Sequence, residues 1–538
     1  MLLNYLFFIL YALILIILFN VRICRYLIVN LFFSLVSVVG ATYGLLSLMQ
    51  GYLSMTKWFY AGIGLEVIVA SIYGVLFGLR PGEKEGKKQK VQEFHLETEC
   101  GNTLTLKNPF DNFLIYGSQG SGKTKSIGKN LLMQYIKYNW VGFVYDYKEG
   151  DYTRTAFELI KRFNYAYSVH HINFHNVSCS ERVNVIKPSV VKDPVFFTEL
   201  LSEFFIANMS KEVEKMDFFD VAAIGVLKGI GLRFFFDYPH ICTLPHIVNY
   251  IAQTDYRKLE AFLNGRRESR GVAAAYVSGE QSEKTRGSIL SALGAIISDF
   301  SINKQVQYIL SGDDFEFNLL DPKNPKLLLL ANNHQYDRIL SPVVGMMASI
   351  YARSFTMENK LNAVNFLDEA TTFKIANFEG NLSLLREYRL STVILTQSPA
   401  KIEKRYGPLD LRSIETNCGN KFFGRNLDII GVESSIKQFA AIDEKKVTST
   451  TGSSTHSRSS SKSISHGKKK KYEPAELMKL KPGQFVGRAQ NSNYTEFEFQ
   501  FKQYVPGQEK DIEIRNVVLE SDLIDCYNKI IDDIINIA

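Results

Sequence analysis

The sequence predicts an α/β fold built on a parallel sheet, with an all-helical insertion and an apolar N-terminal region. Three patterns support this prediction: short apolar runs that alternate with helical patterns, a helical stretch without strand signals at 190–312, and nearly uncharged residues 1–80. Alternating apolar runs and helices are typical of a parallel sheet covered on both faces. The predicted strands are Phe113–Tyr116, Val141–Tyr145, Leu327–Ala331, Ala363–Leu367 and Thr392–Thr396.

The N-terminal region holds three apolar stretches, of which the second and third exceed the ~20 residues that cross a bilayer as a helix. They are Leu2–Phe19, Tyr26–Met49 and Trp58–Leu79. Arg22 and Arg25 separate the first two stretches, and several lysines follow residue 80. The positive-inside rule then places the later chain in the cytoplasm. We predict a transmembrane region at 1–80 with three spans, or alternatively two, and a cytoplasmic linker at 81–104.

Composition excludes some kinds of site without naming a function. The chain has 538 residues, 62 basic and 55 acidic, so its overall charge gives no argument for a nucleic-acid partner. Six cysteines are scattered without a C-x-x-C pair. This spacing indicates neither a disulfide framework nor a zinc site.

A glycine-rich motif directly follows the first predicted strand. It fits G-x-x-x-x-G-K-T and continues into a helical pattern, which is the context of a phosphate-binding P-loop. The glycines let backbone N–H groups close around phosphate oxygens, and the helix directs its positive end toward the same anion. Lys123 can reach the β- and γ-phosphates of ATP, and Thr124 can hold Mg²⁺. The predicted nucleotide-binding residues are Gly117, Ser118, Gln119, Gly120, Ser121, Gly122, Lys123 and Thr124.

Polar residues close three other predicted strands. Asp368 and Glu369 follow one of them, where Asp368 can hold the Mg²⁺ water shell and Glu369 can polarise the attacking water of ATP hydrolysis. Gln397 follows a second strand and could sense the γ-phosphate. Asp146 and Lys148 follow a third, where a phosphate contact and a plain strand-end turn are equally good interpretations.

The remaining chain divides by composition into segments of different character. We predict a nucleotide-binding domain in two parts, an all-α domain between them, a flexible low-complexity loop within the second part, and an acidic tail whose apolar positions could form an amphipathic helix for a partner. A closing hairpin on the sheet is expected at about 482–503. The segments are 105–189, 190–312 and 313–505, with the loop at 447–471 and the tail at 506–538.

The order of these motifs resembles the type IV secretion coupling proteins, the TraG/TraD-type conjugation ATPases. Those proteins combine membrane spans, a P-loop domain, an inserted all-α domain and a Walker B Asp-Glu, followed by Gln-Ser, Tyr-Gly and Asn-Cys. The resemblance covers about residues 105–505. The corresponding motifs here are Asp368-Glu369-Ala370, Gln397-Ser398, Arg405-Tyr406-Gly407, Thr416-Asn417-Cys418 and, in the helical insertion, Lys284-Thr285-Arg286-Gly287-Ser288-Ile289.

The resemblance implies an α/β P-loop NTPase with a RecA-like sheet and N-terminal transmembrane helices, working as a homohexameric ATPase with ATP and Mg²⁺. It implies a multi-pass location in the bacterial inner membrane, and partners that include a relaxase-bound single-stranded DNA and the components of a type IV secretion channel. Arg386, eleven residues before Gln397, matches the arginine-finger position and is preferred over Arg389. As helix-surface side chains, both arginines would simply be solvated.

Three departures from the family pattern are visible. The family's Asp-Pro-Lys-Gly is here Asp146-Tyr147-Lys148-Glu149, the usual two spans are three, and the Ser-rich loop is long.

Two other functions stay open. One is a membrane-tethered DNA-translocating motor of the related chromosome-pump class, which the helical insertion disfavours. The other is a nucleotide-gated substrate receptor with little turnover.

Overall fold

The computed structural model describes residues 92–537, apart from 149, 210–214, 279–282, 440–441, 455–456 and 508–511, and only the backbone of 442–469. The described residues belong to one compact unit, which begins at Gln92. The predicted transmembrane region and the first half of the predicted linker lie outside them.

The predicted multi-pass membrane location is corrected for this part of the chain. Among the residues that the structure describes, no helix is both long and apolar enough to cross a membrane. The apolar helix Phe218–Asp237, for example, is 20 residues long but carries Asp220, Lys228, Arg233 and Asp237. Charged residues inside a span are costly and rare, so this helix belongs to a protein core rather than to lipid.

The centre of the fold is a nine-stranded, mostly parallel sheet with the order β13-β12-β9-β3-β8-β7-β4-β6-β5. The seven strands from β9 to β5 are parallel, and β12 and β13 add an antiparallel edge. The strands are β1 Phe94–Glu97, β2 Thr103–Leu106, β3 Phe113–Tyr116, β4 Val141–Asp146, β5 Ser168–Asn173, β6 Lys326–Ala331, β7 Ala363–Leu367, β8 Leu390–Thr396, β9 Asn420–Phe423, β10 Ile442–Ser454, β11 Ser457–Lys469, β12 Gln484–Ala489 and β13 Glu496–Gln500.

The five strands predicted from apolar runs are confirmed, and so is the closing hairpin, β12 with β13. Their side chains alternate between two cores, one on each face of the sheet: Phe113 and Ile115 enter one core, and Leu114 and Tyr116 enter the other. Burial on both faces explains why such strands are continuously apolar. Strands β5 and β9 escaped prediction because their short sequences, SVHHIN and NKFF, contain polar residues.

Helices cover both faces of the sheet and fill the segment between β5 and β6, where the described residues contain no strand. The helices are α1 Lys129–Lys137, α2 Asp151–Phe163, α3 Pro194–Asn208, α4 Phe218–Asp237, α5 Leu244–Gln253, α6 Tyr256–Asn264, α7 Arg267–Val272, α8 Ala274–Val277, α9 Glu283–Ile302, α10 Lys304–Leu310, α11 Asp337–Arg353, α12 Phe378–Leu384, α13 Pro399–Tyr406, α14 Pro408–Asn417, α15 Ile429–Ile436, α16 Pro474–Met478 and α17 Glu520–Ile535.

The low-complexity segment differs from its prediction. It was expected to be a flexible loop at 447–471, but the backbone pairs as a two-stranded antiparallel hairpin, from Ile442 opposite Lys469 to Ser454 opposite Ser457. Composition rules out a buried core of its own, yet cross-strand backbone hydrogen bonds need no such core. Threonine also favours strands, which helps a local hairpin to form.

The acidic tail does form the expected amphipathic helix, α17, but this helix packs on its own chain. Its buried residues Ile530 and Ile534 join the core next to α5 and α10. Asp533 lies 3.4 Å from Nε2 of His246 on α5. The face that was expected to bind a partner is therefore used within the molecule.

Candidate nucleotide-binding site

The glycine-rich loop lies at the carboxyl end of β3, between the carboxyl ends of β8 and β9. The backbone N–H of Gly117 donates to the Thr396 carbonyl of β8 at 3.3 Å, and that of Ser118 donates to the Arg425 carbonyl just beyond β9 at 2.8 Å. The turn after the loop, Lys123–Gly128, is wound as a π-helix and continues into α1. Both neighbouring strands therefore hold the loop at the sheet edge where ligands bind in parallel sheets.

Close packing explains why the loop needs glycine at 117 and 122. Gly122 has φ +93°, and a Cβ on it would lie 2.4 Å from the backbone N of Gly483. A Cβ on Gly117 would lie 2.4 Å from Oγ of Ser121. Gly483 in turn donates its N–H to the Ser121 carbonyl at 2.9 Å, so a distant segment of the chain closes over the loop.

Lys123 is buried and points back across the loop. Its Nζ donates to the Gly117 carbonyl and lies 3.5 Å from the Ser118 carbonyl. Burial lowers the pKa of Lys123 to about 8, and the neighbouring Glu369 and Asp368 oppose that shift. Its ammonium group thus lies where loop carbonyls and acidic side chains meet.

Asp368 follows β7 and is completely enclosed. Its N–H donates to the Tyr145 carbonyl of β4 at 3.1 Å, and within the described chain its buried Oδ2 has no hydrogen-bond partner. Burial raises the pKa of Asp368 to about 7, with Asp146 and Glu369 adding to the rise. A buried carboxylate oxygen without a partner is costly, so it is suited to a cation.

Glu369 is buried beside Asp368 and takes an unusual backbone conformation, with φ +50°. Its Oε1 accepts from Oγ1 of Thr396 at 3.4 Å and from Nζ of Lys401 at 3.2 Å. Thr396 is the last residue of β8, and Lys401 lies on α13. Elements on two sides therefore orient the carboxylate.

The structure decides between the two interpretations of Asp146. Its carboxylate accepts from N and Oγ1 of Thr153 at 2.8 and 3.0 Å, and from N of Lys148 at 3.1 Å. All three bonds lie within the turn that leads into α2. Asp146 is thus a strand-end turn residue, whereas the exposed Lys148 is close enough to Lys123 and Asp368 to influence both pKa values.

The other two predicted catalytic residues differ in position. Gln397 directly follows β8 and is half-buried at the same sheet edge as the loop. Arg386 is exposed in the turn before β8, at the opposite end of that strand. Seven strand residues span roughly 20 Å, so Arg386 is not part of the site of its own chain.

Three residues at this site were missed by the sequence analysis. Lys401 pairs with Glu369, Gly483 closes the loop, and Arg425 lies over it with Nη2 3.6 Å from where a Cβ on Gly120 would be. Lys401 and Arg425 thus add positive charge to the site beyond that of Lys123. The sequence would have placed Arg425 at the site if the short run Asn420–Phe423 had been predicted as a strand next to β3.

The site suits a magnesium-bound nucleotide by its own chemistry. The glycine cradle, the enclosed Lys123 and the unpartnered Oδ2 of Asp368 match a triphosphate with its cation. Thr124 and Asp368 would be the protein ligands. Mg²⁺ is commonly held by one or two protein oxygens together with phosphates and waters, so a larger ligand cluster is not needed.

The sheet is mostly parallel, G-x-x-x-x-G-K-T follows β3, and Asp-Glu follows β7, which is separated from β3 by β8. This arrangement defines a P-loop NTPase fold. Residues 80–486 match the family described as type IV secretory system conjugative DNA transfer, and the chain belongs to that family. No curated protein sequence matches the chain significantly.

Solved structures with the same fold include the bacterial conjugative coupling protein TrwB. Its unbound form lacking the N-terminal segment, TrwBdeltaN70, has a TM-score of 0.60 at 13% identity, covering 79% of this chain and 92% of that chain. TrwB in complex with ADP and Mg²⁺ has a TM-score of 0.56 at 13% identity, covering 74% and 87%. TrwB with the ATP analogue ADPNP has 0.55 at 13% identity, covering 76% and 88%. At this identity the likeness establishes the fold.

Proposed function

We propose that this protein is an ATPase that drives substrate transfer through a type IV secretion channel, with relaxase-bound single-stranded DNA or a protein as the substrate. The family membership supports DNA transfer as the process. The TrwB complexes with ADP and Mg²⁺ and with an ATP analogue support the choice of nucleotide. The motor then takes its energy from the phosphoanhydride bond.

The observation that carries the proposal is the meeting of Lys123, Asp368 and Glu369 at one sheet edge. The three come from β3 and β7, which are separated by β8, and the charges of Asp368 and Glu369 each perturb the pKa of Lys123. All three are buried, where electrostatic interactions are stronger than in water. Such a grouping is suited to holding and polarising a triphosphate.

Each side chain then has a distinct task. Bound Mg²⁺–ATP supplies the bond to be broken and the cation that draws charge from it. Lys123 neutralises the terminal phosphates, and Thr124 and Asp368 hold the cation. Glu369 orients the attacking water and accepts its proton, a role that suits its fixed carboxylate. Gln397, at the same edge, responds to the γ-phosphate.

We further propose that the working form is a homohexamer in which Arg386 acts on the neighbouring subunit's site. Arg386 is exposed and lies far from the site of its own chain, so an arginine-finger role would require the site of another copy. An arginine supplied in this way stabilises transition-state charge and can contribute ~10³-fold or more.

A direct test is the ATPase rate of the purified full-length protein with and without single-stranded DNA. We expect Mg²⁺-dependent hydrolysis that DNA accelerates. The matched control is the Glu369→Gln variant, prepared in the same way, which should hydrolyse little under either condition. Tight nucleotide binding without turnover, unaffected by DNA, would instead favour a nucleotide-gated receptor.

A further inference from the structure

We propose that Arg425 binds the phosphate chain of the nucleotide from within the same chain, as a second cation of the site beside Lys123. This inference rests on the proposed nucleotide-binding function and assigns the residue a task in it. Arg425 lies two residues beyond β9, and β9 pairs in parallel with β3 from Phe113 opposite Asn420 to Tyr116 opposite Phe423. The topology therefore carries Arg425 to the mouth of the loop.

The backbone and the side chain of Arg425 serve different purposes. Its carbonyl accepts from both N and Oγ of Ser118, at 2.8 and 2.9 Å, and so anchors the start of the loop. Its guanidinium extends over the middle of the loop, with Nη2 3.6 Å from the position a Cβ on Gly120 would take. Gly120 has φ +74°, so any other residue there would be strained and would approach Arg425.

The guanidinium also has unused hydrogen-bonding capacity. Within the described residues, its Nε is buried and has no hydrogen-bond partner. A buried donor without an acceptor costs free energy unless a ligand or water satisfies it. The rigid fork of an arginine matches phosphate oxygens in a bidentate manner, which makes an anion the natural acceptor.

The charge balance of the site points the same way. Lys123 faces Asp368 and Glu369 as well as the loop carbonyls, so much of its charge is already engaged. Lys401 is paired with Glu369 at 3.2 Å. A triphosphate brings several negative charges into this acidic surrounding. Arg425 is a cation that the structure places against the loop, and it has no acidic partner among the described ion pairs.

The test is calorimetric titration of the purified full-length protein with ATP, ADP and inorganic tripolyphosphate, in EDTA so that no metal contributes. We expect Arg425→Ala to weaken binding of all three by about 10-fold or more, the size of a lost charged hydrogen bond. Arg425→Lys should fall between wild type and Arg425→Ala. The control Arg412→Ala, an exposed arginine on α14, should bind as wild type does.

Each other outcome overturns the inference. Wild-type affinity of Arg425→Ala for all three ligands would refute a role in binding while leaving the proposed ATPase intact. Loss of ATP and ADP binding with unchanged tripolyphosphate binding would show that Arg425 contacts the nucleoside and not the phosphate chain. No binding by the wild type in EDTA, and again none when the titration is repeated with Mg²⁺, would remove the proposed function together with this inference. If Arg425→Ala does not fold, Arg425→Gln keeps the stem without the charge and decides by the same criteria.

Discussion

Glu369 is oriented by its own backbone as well as by its neighbours. Its φ of +50° is uncommon for a residue with a side chain, costs of order 1–3 kcal/mol, and is typical of functional sites. In this conformation the carboxylate contacts Thr396 and Lys401. Two consecutive acidic residues can thus serve one site in different roles.

At this position, Glu369→Gln should keep nucleotide binding and lose turnover. The amide retains the size and most contacts of the side chain but cannot take a proton from water, so kcat should fall by a factor on the order of 10² or more. Lys123→Ala should instead weaken ATP binding itself. Nucleotide titrations and steady-state ATPase rates on the same preparations separate the two effects.

A matched control for the glutamate is Glu403→Gln, which changes an exposed carboxylate on α13. Its ATPase rate should equal that of the wild type. Unchanged hydrolysis in Glu369→Gln would refute the role given to that residue.

His171 should make the stability of the protein dependent on pH. It is buried on β5, its Nδ1 donates to the Cys179 carbonyl at 3.0 Å, and its buried Nε2 has no hydrogen-bond partner among described residues. Burial lowers its pKa from 6.5 to about 4. Between pH 6.5 and pH 4, His171 is protonated in the unfolded chain but neutral in the folded chain. Stability is therefore full above pH 6.5 and falls toward pH 4, by up to about 3 kcal/mol.

Denaturant unfolding of wild type and His171→Asn from pH 7 to 4 measures this effect. Asparagine does not titrate, so the difference in unfolding free energy between the two proteins should shrink as the pH falls. The same change at exposed His175 should leave the wild-type pH dependence intact. A constant difference across the range would mean that His171 takes up its proton as readily in the folded protein as in the unfolded chain.

At the scale of elements, the C-terminal helix α17 is part of the folded unit. Ile534 is 3% exposed and Ile535 is 64% exposed, although they are neighbours in one helix. Ile534→Ala should lower the free energy of unfolding by about 2 kcal/mol or more, because it leaves a cavity against α5 and α10. Ile535→Ala should change it by less than about 0.5 kcal/mol.

Because both substitutions replace isoleucine by alanine in the same helix, their difference cancels helix propensity. Chemical denaturation of the two variants provides the comparison. Equal effects would mean that the helix is not docked on the all-α segment in solution.

The loop and its cover show how elements distant in sequence build one site. Gly483 directly precedes β12 and lies against Gly122. Tyr504 donates its N–H to the Lys125 carbonyl at 2.7 Å. The segments on either side of the β12–β13 hairpin thus contact the glycine-rich loop and the turn that precedes α1. A change in this edge would reach the phosphate-binding loop through backbone contacts.

At the scale of the whole molecule, the position of Arg386 makes cooperation between copies testable. Arg386→Ala should bind ATP nearly normally yet hydrolyse it slowly, since the lost contact acts on transition-state charge. Mixing Arg386→Ala with Glu369→Gln protein should restore part of the activity. Some interfaces in the mixture would join an intact Glu369 from one chain to an intact Arg386 from the other.

The measurement is the ATPase rate of the mixture against each parent, with co-assembly shown by a tagged pull-down. The control for dilution is a mixture of Arg412→Ala with Glu369→Gln, because the Arg412→Ala chain keeps both Glu369 and Arg386 intact. A co-assembled mixture of Arg386→Ala and Glu369→Gln that stays as inactive as its parents would exclude action between subunits.

Local chemistry made much of the fold predictable. The strands that precede Gly117 and Asp368 are buried on both faces, so their sequences are continuous apolar runs, which are not expected at the surface. The loop motif was equally legible, because a close backbone approach to phosphate requires glycine at set positions. Strands β5 and β9 could not be predicted from their sequences. They are four to six residues long and contain polar residues, so their pairing depends on the neighbouring strands.

Sequence patterns alone therefore established the P-loop, the acidic pair and the alternating α/β order, all of which depend on residues close together in the chain. The tertiary structure decided which groups meet across long separations: Arg425 over Gly120, Lys401 on Glu369, and α17 on its own chain rather than on a partner. It also showed that Arg386 lies away from the site of its own chain. The physical reason is that contacts between distant segments depend on strand order and packing, which composition and local spacing do not encode.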